Sequence, residues 1–216
     1  MKLRITGAGL TLAVLTMAHS PALAEETASS TTAAEVTETA PVVMSEAGPV
    51  SSFVPADFSV PILVETAGFK IVPLGPELVD LDFAAYMSSI EHLQKTFTRS
   101  TDWPHKDISA ADAMRDMETE DGRFKNRKSF AYAVLTPDGR RERGCVYVHP
   151  STVEGYDAEV TIWVTKAEYD AGFDAEIYQW VTKWVQAEWP FGKVAYPGRA
   201  IEWAAWDSLV EANRAR

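Results

Sequence analysis

From about Val60 onward the apolar positions switch between a period of two and a period near 3.6, and the switches divide the chain into elements. Phe69-Lys70-Ile71-Val72-Pro73-Leu74 reads as a short strand closed by Gly75-Pro76. Phe83, Met87, Ile90 and Phe97 return at helical spacing and predict one amphipathic helix over about 77–97. Ser109 and Asp112 mark a second helix start, the hydroxyl capping an amide and the acid meeting the positive end of the dipole. Met114, Met117 and Phe124 carry its apolar stripe to about Arg127. Three strands follow: 130–135, closed by the turn Pro137-Asp138-Gly139-Arg140; 144–149, stopped by Pro150; and 158–165, with Val160, Ile162 and Val164 on one face. Phe173, Ile177, Trp180, Val181, Trp184 and Val185 then trace one face of a helix over 173–188. A short strand at 193–196 and a helix at 200–213 complete the series.

The order is β-α-α-β-β-β-α-β-α, with no internal repeat. Hairpin-linked strands followed by a strand–helix–strand crossover predict an α/β fold with a mixed central sheet flanked by helices.

The first 59 residues follow a different grammar. Lys2 and Arg4, an apolar run from Ile5 to Ala18, and the small-residue ending Pro21-Ala22-Leu23-Ala24 read as a cleavable secretory signal over 1–24. A 14-residue apolar run spans about 21 Å as helix, short of a roughly 30 Å hydrocarbon core, so no stable membrane anchor is expected after cleavage. Residues 25–59 are small, acidic and proline-interrupted, without Lys or Arg, and read as a flexible linker. The folded domain is expected at 60–216, in the periplasm or secreted.

Composition narrows the function classes. A net charge of −11 disfavours nucleic acid as a partner, since phosphate backbones call for Lys and Arg. The single cysteine, Cys145, excludes an internal disulfide and any multi-Cys metal cluster. His92 and His105 with Asp102 and Asp107 have no ligand spacing, so no metal is expected. Cys145 reads as a packed strand residue, with His149 about 13 Å away along a straight strand.

The element order and two local stretches, Gly144-Cys145-Val146-Tyr147 and Asp157-Ala158-Glu159-Val160-Thr161-Ile162-Trp163-Val164, resemble the third and fourth strands of the GNAT superfamily of acetyltransferases. The resemblance covers roughly Phe69 to Tyr196. It implies acetyl-CoA as co-substrate and an amine acceptor. The pantetheine arm would lie on the backbone of Val164, Thr165 and Lys166, and the pyrophosphate at Gly172 and Phe173. The family's phosphate loop, Arg/Gln-x-x-Gly-x-Gly/Ala, laid on Tyr169-Asp170-Ala171-Gly172-Phe173-Asp174, matches only at Gly172. Asp170 and Asp174 add negative charge where a helix N-terminus would otherwise favour an anion.

The resemblance also implies Glu159 as general base on the amine and Tyr196 as the acid protonating the leaving thiolate. The residues alone equally allow a solvated strand-face Glu159 and a packing Tyr196. Trp103 and His105 fall where the family covers its acceptor, and Trp103 also reads as a cap on the core edge. Arg199 reads as a helix-entry charge or a salt-bridge partner, with anion binding as the alternative. Two functions stay open: a GNAT-type N-acyltransferase, and an exported non-catalytic domain that keeps the fold without acyl-CoA binding.

Overall fold

The computed structural model describes residues 52–215, all within the unit Ala47–Arg216. The secretory signal expected at 1–24 and the linker up to residue 51 lie outside the described residues. The packed chain begins before residue 60: Val54 is fully buried, Phe53 stacks on Phe130 and Phe191, and Phe58 meets Trp189. Arg127 ties the segment down by donating to the carbonyls of Pro55 (2.6 Å) and Phe58 (3.0 Å). The linker boundary therefore falls before Phe53, because three apolar side chains among 52–59 find partners that composition does not reveal.

Among the described residues six strands form one sheet in sequence order: β1 (Val64–Glu65), β2 (Lys70–Pro73), β3 (Phe130–Leu135), β4 (Glu142–Pro150), β5 (Ala158–Val164) and β6 (Val194–Ala195). Neighbours are antiparallel except for the parallel pair β5–β6, so the sheet is mixed, as expected. Helix α5 (Phe173–Glu188) covers one face, burying Ile177, Val181, Trp184 and Val185 against Val146, Val148, Val160 and Ile162. Helices α1 (Val79–Met87) and α3 (Ala110–Lys125) cover the other face, around Leu93, Ala131, Ala133, Cys145 and Trp163. A third cluster joins Trp206 of α6 (Trp203–Arg214) to Val153 and Ala195.

Helix α3 starts with the expected capping box: Ser109 Oγ accepts from Asp112 N, and Ser109 N donates to the Asp112 carboxylate at 2.9 Å. The single helix expected over 77–97 is instead a turn of 3-10 helix at Pro76–Leu78, then α1, then α2 (Ile90–Leu93) running into a π-helical turn at Gln94–Thr98. The break falls at Ser88-Ser89. Ser88 Oγ donates to Ala85 O at 2.6 Å and so competes with the helical ladder, while Ser89 Oγ accepts from Lys166 N at 2.9 Å and anchors the break to the chain just after β5.

Strand β4 carries a bulge. Val134 faces Gly144 but Leu135 faces Glu142, so Arg143 is the extra residue and side-chain parity flips across it. Gly144 is required beside it, because a Cβ there would lie 2.0 Å from the Trp163 carbonyl oxygen. The flip sends Arg143 to the α5 face, over the Phe173 ring and bonded to Glu168, and turns Glu142 to the same face as Cys145. No helix among the described residues is long and apolar enough to cross a membrane.

Candidate active site

Strands β5 and β6 stay paired only at Ala158–Val194 and Glu159–Ala195. Beyond them the chain folds on itself: Gly198 N donates to Ile201 O (2.8 Å), and Ile201 N to Tyr196 O (3.2 Å). The remainder of β5 is left facing a cleft of about 260 Å³. Its walls are Thr161–Val164, the turn Pro197–Arg199, and Lys95, Thr96 and Phe97 of the π-helical turn, with His92, Tyr169, Asp174 and Trp203 around them. π-Helical turns are frequent at functional sites, and this one widens the helix where the cleft opens.

A side chain bridges the cleft. Arg199 donates to both Asp174 oxygens, with Nη2–Oδ1 at 2.7 Å, and Nη2 also reaches the Ile162 carbonyl at 3.4 Å. The salt bridge expected for Arg199 is present, and it ties the first turn of α5 to the β5 backbone. Asp174 raises the affinity of the guanidinium for its proton.

The segment expected to be an open phosphate loop is not a loop. Thr165 caps a short helix α4 (Lys166–Asp170), its hydroxyl accepting from Glu168 N, and only Ala171 and Gly172 separate α4 from α5. Gly172 turns the corner at φ 83°, in the left-handed region. The amides of Tyr169, Ala171 and Gly172 donate to the carbonyls of Thr165 (2.9 Å), Ala167 (3.1 Å) and Tyr169 (3.0 Å), so they are spent within the chain. Upstream, Thr165 N donates to Arg143 O at 2.9 Å and Lys166 N to Ser89 Oγ. Of the residues expected to bind cofactor, Val164 reaches the cleft wall, Thr165 and Lys166 have their amides occupied, and Phe173 is buried under Arg143. The two aspartates are each paired, Asp174 with Arg199 and Asp170 with Lys166 at 2.6 Å. They are not the uncompensated charges that the sequence suggested.

Glu159 lies on β5 opposite His149 of β4, on the same face as Thr161 and Trp163. Burial raises its carboxyl above the usual range. Tyr196 lies on the opposite face, against Tyr178 of α5 with ring centroids 5.8 Å apart, and burial pushes its phenol up to about 12. The structure thus separates the two residues expected to act together.

Trp103 sits between Tyr86 (5.2 Å) and Trp163 (6.3 Å) and also lines a second cavity of about 300 Å³, with Phe97, Tyr147, His149, Thr161 and the salt-bridged pair Glu120–Arg123. His105 lines none of the described cavities; its carbonyl accepts from Ile108 N at 3.2 Å. The two cavities share Phe97 and Thr161, so they meet at Thr161; Glu159, two residues before it on the same face of β5, lines neither. His92 and the π-helical turn were invisible as site residues, because a helical stripe does not show where the helix widens.

No protein-family model matches this sequence, and no curated protein sequence does. Among solved structures, the chain is similar to the ribosomal-protein-S5-alanine acetyltransferase of Vibrio fischeri, at 12% identity and a TM-score of 0.45, covering 58% of this chain and 67% of that one. It is also similar to a protein from Bordetella pertussis described as a GNAT-family acetyltransferase, at 18% identity and a TM-score of 0.45, covering 71% of this chain and 87% of that one.

Proposed function

We propose that the domain is a GNAT-type N-acyltransferase, moving an acetyl or related acyl group from a thioester donor to an amine. The observation that carries this reading is the meeting of two cavities at Thr161: one between β5 and the turn Pro197–Arg199, the other walled by aromatic rings and the Glu120–Arg123 pair. At about 260 Å³ the first lies just below the usual range of small-molecule sites and takes the acyl end of a donor rather than a whole coenzyme. The second offers aromatic ring faces, which attract an ammonium group, although its Glu120 carboxylate is held by Arg123 at 2.8 Å. Glu159 takes the ammonium proton, the freed nitrogen attacks the thioester carbonyl, and the carbon–sulfur bond breaks as the nitrogen's second proton passes to the leaving sulfur, releasing thiol. A carboxyl raised by burial is a better match to that proton transfer than an exposed one. Tyr169, on the cleft wall, replaces Tyr196 as the phenol nearest the leaving group. The domain works outside the cytoplasm after removal of residues 1–24.

The Asp174–Arg199 bridge and the closed α4 turn favour a second reading, in which the cleft binds a small ligand without chemistry. Calorimetry with acetyl-CoA, paired with a free-thiol release assay over a panel of amines, decides between them. The acyltransferase reading expects binding at ~0.1 mM or weaker. It also expects amine-dependent thiol release that Glu159→Gln abolishes while binding persists. No heat and no thiol release at millimolar donor would leave the binding domain.

A further inference from the structure

The face of the sheet under α1 holds a group of acidic side chains that the acyl-transfer reading does not use. Asp82 of α1, Glu142 of β4 and Cys145 of β4 are 3%, 2% and 0% exposed. Cys145 Sγ lies 3.0 Å from Glu142 Oε1 and 3.6 Å from Asp82 Oδ1, and one ligand atom from each residue falls within 4.8 Å of the others. We propose that Asp82, Glu142 and Cys145 form a buried site for a divalent cation of borderline softness, Zn²⁺ being the best match.

Geometry is the first support. A tetrahedral Zn²⁺ with bonds of about 2.3 Å to sulfur and 2.0 Å to oxygen holds those two atoms about 3.5 Å apart. The observed separations of 3.0 and 3.6 Å need only small movements to meet that value. One thiolate with two carboxylates is a donor set that suits zinc better than magnesium or calcium, which take oxygen alone.

Uncompensated polarity is the second. Among the described residues, the charges that act most strongly on the three groups are one another and Asp116, and none of these is basic. Buried acids without a basic partner are stable only when neutralised or bound to a cation. Two polar atoms beside them have no hydrogen-bond partner: Glu142 Oε2, and the hydroxyl of Tyr86, a residue only 2% exposed. Tyr86 stands one turn after Asp82 on α1, and both line a cavity of about 230 Å³. That cavity leaves a fourth coordination position to water or to the Tyr86 hydroxyl. Its outer wall, Asp116, Thr119 and Arg123, is exposed and provides a route in, with the Arg123 guanidinium held by Glu120.

Local structure is the third. Glu142 reaches this face only because the bulge at Arg143 reverses parity, and bulges commonly re-aim side chains at sites. Ligation requires the thiolate, so binding releases the cysteine proton to solvent.

The test uses the full chain, stripped with chelator and titrated with Co²⁺ as a coloured stand-in for Zn²⁺. The expected result is one equivalent bound, with a near-ultraviolet sulfur-to-cobalt charge-transfer band that one equivalent of Zn²⁺ abolishes. Cys145 is the chain's single cysteine, so such a band reports this residue alone. Cys145→Ser removes the band, Asp82→Asn and Glu142→Gln each weaken Zn²⁺ binding at least tenfold, and Glu118→Gln on the exposed side of α3 changes nothing. Absence of the band in the folded wild type overturns the proposal without any variant. Equal Zn²⁺ affinity in wild type and the Asp82 or Glu142 variant overturns it as well.

Discussion

Replacing Asp174 with Asn removes the carboxylate that holds Arg199 across the cleft, and the expected consequence is a new affinity for phosphorylated donors. In the native chain the Asp174 carboxylate meets Arg199 through two hydrogen bonds, one of 2.7 Å, with the side chains 14% and 25% exposed. Bonds to charged groups contribute about 1.5–3 kcal/mol net, and the Asn amide oxygen keeps one acceptor, so the stability loss should be about 1–2 kcal/mol. The effect on an anion is larger in proportion. A phosphate charge about 6 Å from the Arg199 guanidinium that the substitution frees is attracted by about 2.8 kcal/mol at an effective dielectric of 20, and about 1.4 kcal/mol at 40. Gaining that attraction is worth about ten- to a hundredfold in affinity.

The assay is calorimetric titration of wild type and Asp174→Asn with acetyl-CoA and, separately, with acetyl-pantetheine, which has the thioester arm but no phosphate. The gain should appear with acetyl-CoA alone, shrink on going to about 1 M salt, and vanish when Arg199→Ala is added. An equal gain with the phosphate-free thioester would mean that the bridge excludes donors by bulk. No gain with either would sink the electrostatic reasoning. Asp170 is a different case: its pair with Lys166 is 58% and 54% exposed, and Asp170→Gly should change donor affinity little.

A chain beginning at residue 59 should be less stable than one beginning at residue 52 by about 2–4 kcal/mol, because Val54, Phe53 and Phe58 lose their packing. Chemical denaturation of the two checks this, and coincident curves would show that the segment contributes nothing. Burial, and then the charge of Arg123, lower the affinity of His149 for its proton, so the unfolded chain binds a proton there that the folded chain refuses. Stability should therefore fall as pH drops below about 6.5. His149→Asn should flatten that acid limb in melting profiles; superimposable limbs would exclude His149 as a source. Residues 1–24 fused to a reporter should export it and leave Glu25 as the new N-terminus, whereas a reporter retained in the cytoplasm would refute the signal.

What the sequence revealed and what it withheld divide along a physical line. Strand β3 and helix α5 were legible to the residue, because each is bounded by local chemistry: Lys128-Ser129 and Pro137 around one, Gly172 and Pro190 around the other. Their apolar periods agree with the partners they meet, and where local and tertiary preferences agree a sequence can be read directly. Helix α4 was legible in principle. Thr165 followed three residues later by Glu168 is a capping signature, passed over because a five-residue helix has no stripe to announce it.

The rest of the site was set by contacts between distant residues. Asp174 and Arg199 are 25 positions apart, and nothing in their neighbourhoods names the other as partner. Counting their charges singly made the turn look hostile to anions for the wrong reason, since the carboxylate acts through the guanidinium it holds. The β4 bulge is a harder case. Strict alternation sends Glu142 and Cys145, three residues apart, to opposite faces, and one extra residue at Arg143 places them together. Gly144 was the available clue, because a strand glycine signals close backbone approach. The extra residue, Arg143, pairs with Glu168 of α4, 25 positions on, and nothing beside the glycine names that partner. The acidic cluster and the closed phosphate turn thus share one residue: Glu168 helps to form the turn by its amide and receives, through its carboxylate, the Arg143 that stands outside the β4 alternation.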